Sequence, residues 1–150
     1  MQRSQLLEEL LNIQNQMNSI WKHYFGQILR EEHITVAQML TLFSIDEMQP
    51  VMGKELANRL GQTPSATTQT IDSLPNPSLV VREQDTKDRR IIRLRLSTEG
   101  EQLVGRLKDK RKEIFYKSTE PISDEELQAY LTFQRKSLEQ LQKYLSQSQQ

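Results

Sequence analysis

The sequence predicts a mainly α-helical protein with a small β-hairpin wing: a winged helix-turn-helix unit flanked by long helices suited to dimerisation. Three observations predict it. Apolar residues recur at helical spacing through most of the chain. Two short central helices are separated only by Gly61-Gln62-Thr63, a junction of the helix-turn-helix kind. Near residue 79 the period drops from 3.6 to 2 for two short runs joined by a polar, charged tip. The 150 residues fit one domain or one protomer of a small oligomer. With 35% apolar and 27% charged residues, the chain is lean for a self-sufficient globule. Elongated helices sharing part of their core with a second copy fit that composition better.

Residues 1–33 read as an N-terminal dimerisation helix. Leu6, Leu10, Ile13, Met17, Ile20 and Tyr24 form a seam, which Leu7, Leu11, Trp21, Phe25 and Leu29 widen. This pattern suits an ordinary core helix and a dimer helix equally. Thr35 and Gln38 have capping-box spacing ahead of a short buried helix ending near Pro50. Gly53 to Leu60 predicts a helix of about two turns stopped by Gly61. Thr63 then caps a helix with Pro64 at its first position, running to about Leu74 before Pro75 and Pro77. Residues 79–83 and 91–96 are the hairpin strands, with Ile92, Leu94 and Leu96 on one face and Arg93 and Arg95 on the other. Residues 34–97 thus form the winged helix-turn-helix. Residues 98–146 hold two C-terminal dimerisation helices, the second opened by the capping box Ser123-Asp-Glu-Glu126, and 147–150 a disordered tail.

The absence of cysteine excludes disulfides, thiolate zinc sites and a thiol-based peroxide sensor. No apolar run approaches membrane-spanning length and no basic-then-apolar leader opens the chain, so a cytoplasmic protein without membrane contact is expected. His23 and His33, the two histidines, have neither metal-ligand nor acid–base spacing. With no phosphate-binding glycine loop or nucleophile elbow either, neither an enzyme nor a cofactor or metal is expected. The net charge is zero, but its distribution is uneven. Residues 1–53 hold three basic and six acidic side chains, whereas 82–95 hold six (Arg82, Lys87, Arg89, Arg90, Arg93, Arg95) against three (Glu83, Asp85, Asp88). A polyanionic partner responds to such a local field rather than to the total.

Several segments carry a resemblance to a known family. They are Ile34-Thr-Val-Ala-Gln38, Leu56-Ala-Asn-Arg-Leu-Gly61, Ile71-Asp-Ser-Leu74, Leu79-Val-Val-Arg82, Asp88-Arg-Arg90 and Leu96-Ser-Thr-Glu-Gly100. Together they resemble the MarR family of winged-helix transcription factors, without a gap from about residue 56 to 100. The Asp-Arg-Arg wing followed by Leu-Ser-Thr-Glu-Gly is the most specific part. The resemblance implies a homodimer bound to a pseudo-palindromic operator in double-stranded DNA, with Asp88 organising the wing tip and Arg90 reaching the minor groove. It also implies release by a small aromatic or phenolic effector, for which Trp21, Tyr24, Phe25 and Phe43 are the candidate lining.

The chain departs from the family in two places. Its recognition helix, Pro64-Ser-Ala-Thr-Thr-Gln-Thr-Ile-Asp-Ser-Leu74, holds no basic residue. Base reading then falls to Ser65, Thr67, Thr68 and Gln69, since glutamine suits adenine and threonine suits either base or a thymine methyl. Lys87, Asp88, Arg89 and Arg90 form the wing contribution. Arg82, Arg93 and Arg95 are further phosphate contacts, with one or two of the wing cations expected to pair with Glu83 or Asp85 instead. The family's glycine between recognition helix and wing is replaced by Pro75-Asn76-Pro77-Ser78, where a left-handed Ser78 would be strained. The expected function is a ligand-responsive repressor. The alternative is a degenerate winged helix that acts as a protein-interaction module, which the absence of basic residues from the helix and its altered turn favour and the basic wing disfavours.

Overall fold

In the computed structural model, residues 2–147 are described. Helix α1 (Arg3–Glu31) is followed by α2 (Val36–Met48), a short strand β1 (Val51–Met52), α3 (Gly53–Leu60) and α4 (Pro64–Asp72). A single 3-10 turn (Pro77–Leu79) leads into β2 (Val80–Gln84) and β3 (Ile92–Leu96), and α5 (Thr98–Thr119) and α6 (Asp124–Gln147) complete the chain. The chain divides into two compact units, one through Arg106 and one from Leu107. The expected tail lies outside the described residues from position 148 on; Gln147 still belongs to α6.

Local chemistry fixes the element ends of the first unit. Thr35 Oγ1 accepts from Gln38 N at 3.2 Å while Gln38 Oε1 accepts from Thr35 N at 2.8 Å, a reciprocal cap for α2. Gly61 sits at φ 63°, a left-handed C-cap that stops α3 without a Cβ penalty. Thr63 Oγ1 then accepts from Ala66 N at 3.1 Å, with Pro64 placed where no N–H is needed. The end of α1 is less orthodox. His33 takes the left-handed conformation there, φ 56°, and Ile34 N donates to Leu29 O at 2.9 Å.

The wing is a three-stranded antiparallel sheet in the order β1-β3-β2 rather than the expected two-stranded hairpin. β1 pairs Val51 with Leu94 and Met52 with Arg93. Two residues are too few for periodicity to reveal. β2 and β3 pair from Val80–Leu96 to Gln84–Ile92, leaving residues 85–91 as the tip. Leu42, Ile45, Val51, Leu56, Leu74, Leu94, Leu96, Leu103 and Val104 make the core of this unit, fully or almost fully buried.

No left-handed residue is needed between recognition helix and wing. Asn76, at φ −119°, caps the 3-10 turn by accepting from Ser78 N at 3.0 Å. Its amide donates to Glu99 Oε1 at 2.8 Å, and Ser78 Oγ lies 3.0 Å from Glu99 Oε2. Gly100 lets the chain pass close beneath, since a Cβ there would collide with the Leu79 carbonyl oxygen.

In the second unit, Ser123 Oγ accepts from Glu126 N at 3.3 Å and Glu126 Oε2 accepts from Ser123 N at 2.9 Å, the expected box ahead of α6. No residue of α6 is buried, and Tyr130, Leu131, Phe133, Leu138, Leu141, Tyr144 and Leu145 are all exposed. The first unit has the same feature: residues 3–20 of α1 are exposed, its apolar seam included. Among the described residues no helix is long and apolar enough to cross a membrane.

Candidate nucleic-acid interface

Helix α4 follows α3 after three residues, in the position of a recognition helix. Ser65, Thr68, Gln69 and Asp72 are exposed and spaced to share one face, whereas Thr67, Ile71 and Leu74 are buried on the other. Thr67 therefore leaves the base-reading set. Only 1% exposed, it turns its hydroxyl inward, 3.5 Å from Gln62 Oε1. Its spacing from Ile71 and Leu74, four and seven residues, already places it on the apolar face. Ser65, Thr68 and Gln69 remain on the surface.

Two carboxylates fold the wing tip. Asp85 Oδ1 accepts from the backbone N–H groups of Lys87 at 2.8 Å and Asp88 at 3.2 Å. Its Oδ2 accepts from Arg93 Nε at 2.5 Å. These bonds, the Arg93 guanidinium foremost, hold the Asp85 carboxyl down at about 2. Asp88 Oδ1 accepts from Arg90 N at 3.0 Å, which gives Asp88 a part in shaping the tip. Asp85 is the residue that sequence reasoning missed in this role. It stood there only as a competitor for arginine.

Of the basic residues in this region, three are held by acids. Arg82 pairs with Asp72 at 2.5 Å, Arg93 with Asp85 at 2.5 Å and Arg95 with Glu83 at 3.3 Å. Two of these pairs match the expected competition; the third, which ties β2 to the end of α4, was not anticipated. As phosphate contacts, Arg82, Arg93 and Arg95 are thus already engaged within the protein. Lys87, Arg89 and Arg90 are exposed, and among the described residues none of them has an ion-pair partner.

The effector candidates stand on α1 and α2. Trp21 and Phe25 lie with ring centroids 5.5 Å apart, and Tyr24 meets Phe25 edge-on at 6.1 Å, making one aromatic cluster on α1. Phe43 is half-buried on α2.

A helix-turn-helix whose exposed recognition face carries no basic residue, tied to a wing with a cationic tip, defines a winged helix-turn-helix DNA-binding protein. The sequence model of the MarR family matches residues 34–92. The uncharacterized HTH-type transcriptional regulator YsmB of Bacillus subtilis (strain 168) is 31% identical over 93% of this chain and 94% of its own. The chain belongs to the MarR family of DNA-binding transcriptional regulators. The HTH-type transcriptional repressor MdtR of the same organism is 31% identical over 66% of this chain and 64% of its own. Among solved structures, a MarR family protein from Bacillus stearothermophilus superposes with a TM-score of 0.81 at 25% identity, covering 95% of this chain and 99% of that one. Two Staphylococcus aureus structures share the fold at 22% identity. One is a mutant of MepR bound to an oligodeoxyribonucleotide, with a TM-score of 0.65 over 88% of this chain and 97% of its own. The other is MarR in complex with salicylate and kanamycin, with a TM-score of 0.75 over 93% and 94%.

Proposed function

We propose that this protein is a homodimeric repressor that occupies a pseudo-palindromic operator and is released by a small aromatic or phenolic effector. One observation carries the DNA reading: the exposed Ser65–Thr68–Gln69 face stands on the recognition helix while Lys87, Arg89 and Arg90 crown the wing without acidic partners. The helix reads base edges and the wing supplies charge. Arg90 enters the minor groove, where a narrow groove concentrates negative potential, and Lys87 and Arg89 meet phosphates.

The exposed apolar seams of α1 and α6 support the homodimer, since soluble chains seldom leave contiguous apolar faces uncovered. Its two-fold axis sets the recognition helices one DNA turn apart, ~34–36 Å. Repression is supported by the likeness to MdtR, and binding of a small aromatic effector by the likeness to the salicylate complex. In this reading the Trp21–Tyr24–Phe25 cluster and Phe43 take the effector, which acts through its differential affinity for two conformers.

A salt series with two variants tests the division of labour. Arg90→Ala is expected to weaken binding to every duplex and to lower the salt slope by about one unit per subunit, because one cation fewer displaces counterions from the groove. Gln69→Ala is expected to cost ~1–3 kcal/mol on a selected site while leaving random-duplex binding and the slope in place. Equal effects of the two on the slope would defeat the assignment. Binding that ignores salt would favour the protein-interaction module.

A further inference from the structure

We propose that Gln38 is a positioning residue for DNA reading, its buried amide fixing the end of the recognition helix against the start of α2. The inference rests on the reading above, that the exposed face of α4 meets base edges. Gln38 is 5% exposed. Oε1 accepts from Thr35 N at 2.8 Å, and Nε2 donates to the Ser73 carbonyl at 2.8 Å and lies 3.1 Å from Ser73 Oγ. That hydroxyl gives its own proton to the Thr70 carbonyl at 2.9 Å. One side chain therefore completes the cap of α2 and satisfies a carbonyl that the end of α4 leaves without a helical partner.

The recognition helix has few other anchors. Thr67, Ile71 and, just past its end, Leu74 pack its inner face, and apolar packing of this kind sets position without hydrogen-bond direction. Two polar ties hold its C-terminal end: Gln38 on the inner side and the Asp72–Arg82 pair on the outer. The outer tie is about half exposed on both partners, 55% and 48%, so water and salt weaken it. The inner tie is part-buried, with Gln38 only 5% exposed, and is screened less. Gln69 stands one turn before Ser73, and Ser73 N donates to the Gln69 carbonyl at 3.0 Å. A tilt at that end therefore displaces the side chain that reads. Hydrogen bonds to base edges weaken steeply with misalignment, so a small displacement costs discrimination while phosphate attraction survives.

Two variants and a control test this. Gln38→Glu keeps an acceptor for Thr35 N but loses the amide donor and sets an oxygen against the Ser73 carbonyl. Gln38→Met removes both functions at similar length. Ser73→Ala is the control, because it removes the hydroxyl and keeps the carbonyl that Gln38 binds. The probes are a duplex enriched by the wild type from a random pool and a scrambled duplex of the same composition. Both Gln38 variants are expected to lose roughly tenfold of the preference between these duplexes. Affinity for the scrambled duplex and the salt slope should stay at wild-type values, and Ser73→Ala should retain the preference. A merely structural role would lower the melting temperature without moving the preference. Folded variants with wild-type preference would overturn the proposal, and so would collapse of both variants at the assay temperature, since a positioning tie is separable from folding. A wild type that prefers no duplex would instead overturn the base-reading role of α4.

Discussion

His33 holds the one left-handed non-glycine backbone among the described residues, φ 56°. An L-residue pays roughly 1–2 kcal/mol in this region, and glycine escapes that cost while losing ~0.5–1 kcal/mol through its freer unfolded chain. His33→Gly should therefore raise stability by about 0.5 kcal/mol, whereas His33→Val, β-branched at the same angle, should lower it by more than ~1 kcal/mol. Denaturant midpoints check both, and a valine variant as stable as wild type would contradict the account. Caps with a single dominant solution were legible in the sequence. Thr35 with Gln38, Gly61, and Thr63 with Pro64 stand where their chemistry places them. His33 is not legible in the sequence, because the motif favours glycine and the enrichment of histidine in this conformation is too weak to mark a helix end. Thr67 carries a hydroxyl suited to base edges, but its spacing from Ile71 puts it on the buried face.

At the scale of elements, the two β-runs were legible from their alternation, but which charges meet across them depends on register. Once Gln84 faces Ile92, Asp85 stands within reach of Arg93 and of two amides of the tip. That geometry ties the wing to pH. The Asp85 carboxyl, normally near 3.8, is held down at about 2, so its contribution to wing order is present above about 4 and is lost as pH falls toward 2. Asp85→Asn retains an oxygen acceptor but no charge for Arg93. The difference in tip order between wild type and this variant should be full at about pH 5 and vanish near the acid end of that window. Amide-exchange protection of Lys87 and Asp88, compared in the two proteins, removes the contribution of other carboxylates. A difference that stays constant across the window would show that Asp85 does not order the tip through its charge.

At the scale of the whole molecule, the seam of α1 is visible in the sequence as a periodic apolar face, but periodicity is silent on what covers a face. A core helix and a dimer helix share one pattern, and only burial separates them. In the single chain Leu10 is 46% exposed and Leu138 is 56% exposed. An aspartate at either site thus costs the lone protomer little, yet in the proposed homodimer it places a carboxylate inside an apolar seam at a cost on the order of several kcal/mol. Leu10→Asp and Leu138→Asp, singly and together, should shift sedimentation at micromolar concentration from dimer toward monomer. The winged unit, whose core of Leu42, Ile45, Leu56 and Leu94 lies elsewhere, should keep its dispersed amide spectrum. Operator affinity should fall further than half-site affinity, because two recognition helices no longer engage as one ligand and the gain from effective concentration is lost. A wild type that sediments as a stable monomer would refute the homodimer, and a double variant that remains dimeric would move the interface away from these two seams.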